Sequence, residues 1–385
     1  MDKIAVGLQP IAISQMLFKN VIGQSTAKSL LKRMADNDRI PHALLLLGMP
    51  GSGGLALALS FAQYVLCENK IDGEACGTCR SCAKTSKSIH PDLHFSFPTV
   101  GTNVTSDHYL ENWRQAIADN PYFDVNQWLQ LIGADNKQGN INKEECSQII
   151  RKLSLKIFEG NYKIMLIWLP EYLGKEGNRL LKLIEEPPDN TLLLLVAENQ
   201  ELILNTILSR CQLVKVPALS DDEVEKGLMK VKNLPLEKAR PIAQLAGGNF
   251  NEALNIADQP ESDNSSLFLE WMRKCYIGNG IELVSWVEEF AKLGRENQKQ
   301  FLQYGLHFMR EYMTLKMAGA DNGLDIRLLP KERTTAENLT KVIGFDQIGR
   351  IVGLFDDCAF AIERNANQKI LFLDASIKLN KILRR

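Results

Sequence analysis

Ala43-Leu-Leu-Leu-Leu47-Gly48-Met-Pro-Gly51-Ser-Gly53-Gly54-Leu55 is the stretch on which the reading of the whole chain turns. An apolar run without alternation describes a strand buried on both faces, as in parallel sheets. The glycines that follow allow positive φ and close backbone approach to phosphate oxygens, at the start of a helix patterned from Leu55 to Leu66. The frame is that of a phosphate-binding loop. Such a loop ends in Lys and then Ser or Thr, the ammonium reaching the β and γ phosphates and the hydroxyl holding Mg²⁺. Those two places are Gly54 and Leu55 here. At about 1.5–3 kcal/mol per hydrogen bond to a charged group, both losses together weaken MgATP binding by roughly two to four powers of ten. Gly48, Gly51, Gly53 and Gly54 therefore read as a relic loop, and tight ATP binding is not expected.

Two more apolar runs, Ile164 to Trp168 and Leu192 to Val196, predict further strands of the same parallel sheet. A helical pattern from Asn178 to Glu186 lies between them and is stopped by Pro187 and Pro188. Strand and helix in alternation make an α/β layer architecture over 1–217. A phosphate-binding ATPase sets its metal-binding and water-activating acids at the end of such a strand. Trp168 and Leu169 stand there instead. Ser220 and Glu223 form a capping-box pattern that opens a small helical unit over 218–258. The polar stretch 259–266 reads as a linker, and helical periodicity then fills 267–385, so an all-α C-terminal domain is expected. Residues 98–137 carry Tyr109, Trp113, Tyr122, Phe123 and Trp128 but little periodicity, and are read as a partly ordered insertion of no assigned role.

A formal net charge of −1 speaks against a dedicated nucleic-acid binder, which shows a cationic footprint. The amino terminus carries no secretory pattern and no run is long and apolar enough to span a membrane, which predicts a cytoplasmic protein. In that reducing compartment the eight cysteines are not a disulfide framework. Four of them, Cys67, Cys76, Cys79 and Cys82, have the spacing C-x₈-C-x₂-C-x₂-C and suit tetrahedral Zn²⁺ in a closed structural site. Four reduced core thiols and an iron–sulfur cluster are the alternatives. Cys146, Cys211, Cys275 and Cys358 read as core or incidental, and His42, His90 and His94 as structural.

Val21-Ile-Gly-Gln24, Pro41-His-Ala43, the glycine loop, Asn178-Arg-Leu-Leu-Lys182-Leu-Ile-Glu185-Glu-Pro187-Pro188 and Thr206-Ile-Leu-Ser209-Arg210-Cys211 follow in the order found in clamp-loader AAA+ subunits. Over about residues 18–256 the chain resembles that family, its δ′ branch of bacterial DNA polymerase III in particular. The resemblance implies an AAA+ α/β domain with a zinc module at 67–82, a helical lid at 218–258 and a helical collar at 267–385. It further implies assembly with γ/τ-type ATPase and δ subunits, transient contact with a sliding clamp, and primed DNA met through the complex, with no membrane partner. Arg210 matches the arginine that projects into a neighbour's ATP site, where a guanidinium stabilises charge on the γ-phosphate. Asn251 stands near a sensing arginine of active members, and Glu198 or Asn199 near a polar sensor. The implied function is a non-hydrolysing stator with a structural zinc. Rival readings are a zinc-containing AAA+ ATPase active in its own right and a zinc-dependent DNA-binding adapter.

Overall fold

A computed structural model describes residues 16–134, 137–258, 264–318, 330–340, 343–364 and 366–384. The chain divides into two compact units, Met1–Asn255 and Ile256–Arg385.

The first unit is built on a parallel sheet of five strands among the described residues: β1 (Ala43–Gly48), β2 (Leu93–Ser96), β3 (Lys163–Trp168), β4 (Thr191–Ala197) and β5 (Gln212–Val216). Their order is β2-β3-β4-β1-β5, with Leu45 opposite both Leu195 and Leu213. The three central strands are those read from sequence, because layers on both faces demand apolar side chains at every position. The edge strands escaped that reading. β2 has four residues and includes His94, and β5 turns Leu213 outward.

Alternation divides the sheet's two faces. Leu45, Met165, Ile167, Leu193 and Leu195 pack with Cys146, Ile149 and Leu153 of the helix Lys143–Ser154 and with Leu173, Leu180 and Ile184. The opposite face is covered by the helix Gly54–Leu66, nearly every residue of which is buried. The helix expected from Asn178 is shorter than its pattern. A 3₁₀ segment over Pro170–Leu180 comes first, kinked at Gly174 with φ 48°, and only Leu181–Glu185 is α-helical.

The expected partly ordered insertion 98–137 carries regular structure in its described residues, from which 135 and 136 are excluded. It holds the helices Leu110–Asp119 and Val125–Leu131, the second closed by a capping box between Asp124 and Gln127. Trp113 stacks on Phe97 at 4.3 Å and stands 5.3 Å from Trp168, while Phe123 meets Trp168 edge-on at 4.9 Å. Trp128 is fully buried and donates its indole N–H to Pro98 O at 2.8 Å. Three tryptophans in one cluster bury several hundred Å² of apolar surface and fix the stretch on the sheet.

Ser220 caps the helix Asp221–Lys232 as expected, and the helices Leu236–Ala246 and Phe250–Asp258 follow. The expected linker 259–266 lies at 259–263 outside the described residues, and the helix Asn264–Ile277 begins within it. Every element of the second unit among its described residues is a helix. Its core gathers Phe268, Trp271, Trp286, Phe290, Phe301, Phe355 and Phe372, and Trp271 donates to Ser376 Oγ at 2.9 Å. Among the described residues no helix is long and apolar enough to cross a membrane.

Candidate functional site

Parallel α/β sheets bind ligands at the carboxyl ends of their strands, and the glycine loop leaves β1 there. Its shape follows from three close approaches. A Cβ on Gly48 would lie 2.2 Å from Val216 O, one on Gly51 (φ +69°) 1.7 Å from Asn249 Oδ1, and one on Gly53 (φ +95°) 3.0 Å from the Tyr122 ring. The loop is therefore in contact with other parts of its own chain. Phe250 N–H donates to Gly51 O at 3.0 Å. Gln24 donates through Nε2 to Ser52 O at 2.9 Å and to Pro217 O at 2.7 Å, tying Val21-Ile-Gly-Gln24 to the loop and to the exit of β5.

Tyr122 lies against the loop at Gly53. Its hydroxyl accepts the Ile22 N–H at 2.8 Å, and its ring meets Phe250 edge-on at 4.9 Å. A chain of amides runs beside it: Asn120 Nδ2 donates to Asn251 Oδ1 at 2.8 Å, Asn251 Nδ2 to Gln127 Oε1 at 2.9 Å, and Gln127 Nε2 to Asn255 Oδ1 at 3.1 Å. The stretch 98–137 thus sits between the sheet and the helix Phe250–Asp258. Neither Tyr122 nor Asn249 was singled out from the sequence as a site residue. The one cue to Asn249 is its place after Gly247-Gly248, and Tyr122 follows Pro121 with no motif around it.

At the end of β3, Trp168 and Leu169 are buried, Trp168 in the tryptophan cluster and Leu169 in the left-handed region at φ 57°. The carboxylate beyond them, Glu171, accepts the N–H groups of Glu198 and Asn199 at 2.5 and 2.7 Å and so fastens the loop after β4. Asn199 in turn accepts from Glu201 N–H and caps the short helix Gln200–Leu202. Burial first, and then the Glu171 and Asp124 carboxylates, push Glu198 up to about 8. Because the folded value exceeds the unfolded one, the stability this group confers is fully present below about pH 4.3 and is lost as pH rises through about 8. Glu198→Gln is expected to flatten that decline and to be more stable than the parent above pH 8, by on the order of a few kcal/mol. Thermal melting of both proteins between pH 5 and 9 checks this, and parallel profiles would assign the titration to another group.

Arg210 follows the single-turn helix Asn205–Leu208 and lies at the surface. Its Nε donates to Glu185 Oε1 at 2.5 Å, and its Nη1 donates to Thr206 O at 2.8 Å and Ser209 Oγ at 3.2 Å. None of these partners belongs to the chain's own glycine loop.

Cys67, Cys76, Cys79 and Cys82 come together with all four sulfurs within 4.8 Å of one another. Backbone N–H groups point at them: Cys76 to Cys67 Sγ at 3.2 Å, Cys79 to Cys76 Sγ at 3.3 Å and Cys82 to Cys79 Sγ at 3.3 Å. Burial opposes ionisation of Cys76, but the N–H groups of Thr78 and Cys79 outweigh it and bring the thiol down to about 6. Burial pushes Cys67 and Cys82 upward. A tetrahedron of thiolates about 2.3 Å from Zn²⁺ has edges of roughly 3.8 Å. The Cys76–Cys82 sulfur separation is 3.9 Å. The donor set fits a closed zinc site with four protein ligands and no open position for chemistry. Among the described residues no other His, Cys, Asp or Glu group has metal-binding geometry. His90 is buried, accepts the Asp92 N–H at 3.1 Å through Nδ1 and lies 3.6 Å from Glu159.

The family described as DNA polymerase III, delta subunit, matches residues 23–220. DNA polymerase III subunit delta' of Bacillus subtilis is 26% identical over 241 residues, covering 62% of this chain and 60% of its own length. The tau/gamma subunit of Haemophilus influenzae is 24% identical over 248 residues, 63% of this chain and 30% of its own. Subunit delta' of Escherichia coli is 27% identical over 175 residues, 45% of this chain and 41% of its own. The chain thus spans three fifths or less of the length of these relatives. Among solved structures, a gamma subunit-related protein from Thermotoga maritima covers 93% of this chain and 100% of its own at 15% identity and a TM-score of 0.39.

Proposed function

This chain belongs to the DNA polymerase III delta-subunit family, and from that premise we propose that it is the non-hydrolysing δ′-type stator of a clamp loader. In this role it joins γ/τ-type ATPase and δ subunits, meets the sliding clamp transiently and primed DNA through the complex, and lends Arg210 to the ATP site of a neighbour. The observation that carries the proposal is the close packing of the glycine loop against the chain itself. Asn249 stands against Gly51, and Tyr122 stands against Gly53 while taking the Ile22 N–H. With Gly54 and Leu55 in the places of Lys and Ser or Thr, the cleft lacks both the ammonium and the metal-binding hydroxyl of a working loop. The amide chain from Asn120 to Asn255 supports the stator role, since it ties the helix Phe250–Asp258 to elements packed on the sheet. In the four-thiolate site zinc would cross-link a short loop and take no part in a reaction.

Titration of the full chain with MgATP, followed by calorimetry, tests this. Binding at about 0.1 mM to 10 mM is expected, roughly two to four powers of ten below the micromolar affinity of a working site. Micromolar affinity would favour the reading as an ATPase in its own right, and hydrolysis by the chain alone would establish it. Salt-sensitive duplex binding by the isolated chain would instead favour the DNA-binding adapter.

A further inference from the structure

Two sequence motifs that lie 25 residues apart meet in one ion pair. Glu185 is the last residue of the helix Leu181–Glu185, which ends ahead of Pro187 and Pro188. Arg210 follows the helix Asn205–Leu208. The Glu185 Oε1 atom lies 2.5 Å from both Nε and Nη2 of Arg210. Thr206 O and Ser209 Oγ accept from Nη1. A guanidinium has five N–H donors, fixed in one plane. Nε and Nη1 thus donate to partners on the same chain, and Nη2 meets Glu185 at ion-pair distance.

We propose that Glu185 is a positioning residue for Arg210: it holds the guanidinium in a fixed plane at the protein surface so that its outer edge is presented to a phosphate of the adjoining subunit. The inference rests on the trans role proposed for Arg210 and deepens it. An exposed ion pair adds little to stability, because long side chains lose rotamer freedom on pairing and water screens the charges. What the pair supplies is order. A free arginine must give up its rotamers when it meets the transition state, whereas a held one has done so beforehand. The carboxylate also has an opposing effect, since its negative charge close to a phosphate is unfavourable. If that effect prevailed, Glu185 would restrain the arginine and its removal would accelerate hydrolysis. The two further acceptors on Nη1 favour positioning, because a restraint alone needs no plane.

The test is clamp- and DNA-stimulated ATP hydrolysis by the assembled complex carrying Glu185→Ala, Glu185→Gln, Arg210→Ala or Glu185→Ala with Arg210→Ala. Glu185→Ala is expected to lower kcat by about tenfold to thirtyfold, with KM for ATP and the yield of complex unchanged. Glu185→Gln keeps an acceptor oxygen and should restore part of the rate. In the Arg210→Ala background, removing Glu185 should have no further effect, an outcome that a merely structural role for Glu185 does not produce. A faster complex, an unchanged rate, or additive losses in the double variant would overturn the positioning role while leaving Arg210's own role intact. If Arg210→Ala alone leaves hydrolysis unchanged, the trans arginine and its positioning residue fall together.

Discussion

Replacing Arg210 by alanine is expected to slow ATP hydrolysis at the neighbouring site it serves by about a thousandfold or more, the range in which trans arginines act on phosphoryl transfer. The cause is electrostatic. A planar, permanently charged donor offsets charge growing on the γ-phosphate in a site from which water is excluded. The isolated chain should fold as before. Arg210's side chain is 36% exposed, and its partners Glu185 and Thr206 lie at the surface, so truncation leaves no buried charge without a partner. Arg210→Lys should rescue little, because an ammonium cannot reproduce the fork. Single-turnover hydrolysis by the assembled complex on primed DNA is the measurement, with melting of the isolated variant as the control for folding. A complex that hydrolyses at the parental rate with Arg210→Ala in place would end the proposal.

What the sequence disclosed and what it concealed have physical reasons that differ by element. The strands at 43–48, 163–168 and 191–197 are legible because burial on both faces removes every polar residue that would blur the pattern. The strand at 212–216 is hidden because its edge position admits Gln212, Lys215 and an outward Leu213. Residues 98–137 resist any periodicity rule for another reason. Trp113, Phe123 and Trp128 lie on or beside two short helices and form one cluster, in which Trp113 and Phe123 meet Trp168, a residue that the sequence marks as a strand end and as the replacement for a missing acid. The cleft itself is half legible. Gly54 and Leu55 are local absences within a motif, whereas Tyr122 and Asn249 reach the loop from 68 or more positions away in the chain, where no spacing rule extends. The cysteine cluster is the opposite case. Ligands three and nine residues apart can converge only locally, so their spacing predicts the geometry directly.

Zinc removal is the second change with a large expected effect. The helix Arg80–Thr85 has six residues, well short of the length at which a helix holds by itself in water. The turn before it, Ile71 to Glu74, is closed by two backbone hydrogen bonds. The ion pairs that hold the segment are Lys84 with Glu159, Lys32 with Glu74 and Lys70 with Asp36, and Ala75 and Thr85 are buried. Such pairs are worth at most about 1 kcal/mol each, against an apparent 10–16 kcal/mol for structural zinc in small finger peptides. The metal is therefore expected to dominate the local stability. The purified chain should carry one zinc per molecule, and chelation or Cys82→Ser should release it and expose residues 67–87 to protease. The melting temperature should fall by about 10 °C or more, since a loss of several kcal/mol in a unit of this size moves Tm by about 2–4 °C per kcal/mol. Acid should mimic the chelator, because protons compete for thiolates whose burial at Cys67 and Cys82 already disfavours ionisation. The helix Gly54–Leu66 should survive, being packed on the sheet independently of the thiols. Limited proteolysis and metal analysis of the same samples decide the matter: a zinc-free chain with parental melting and the parental digestion pattern would mean that the four thiols are core residues and hold no metal.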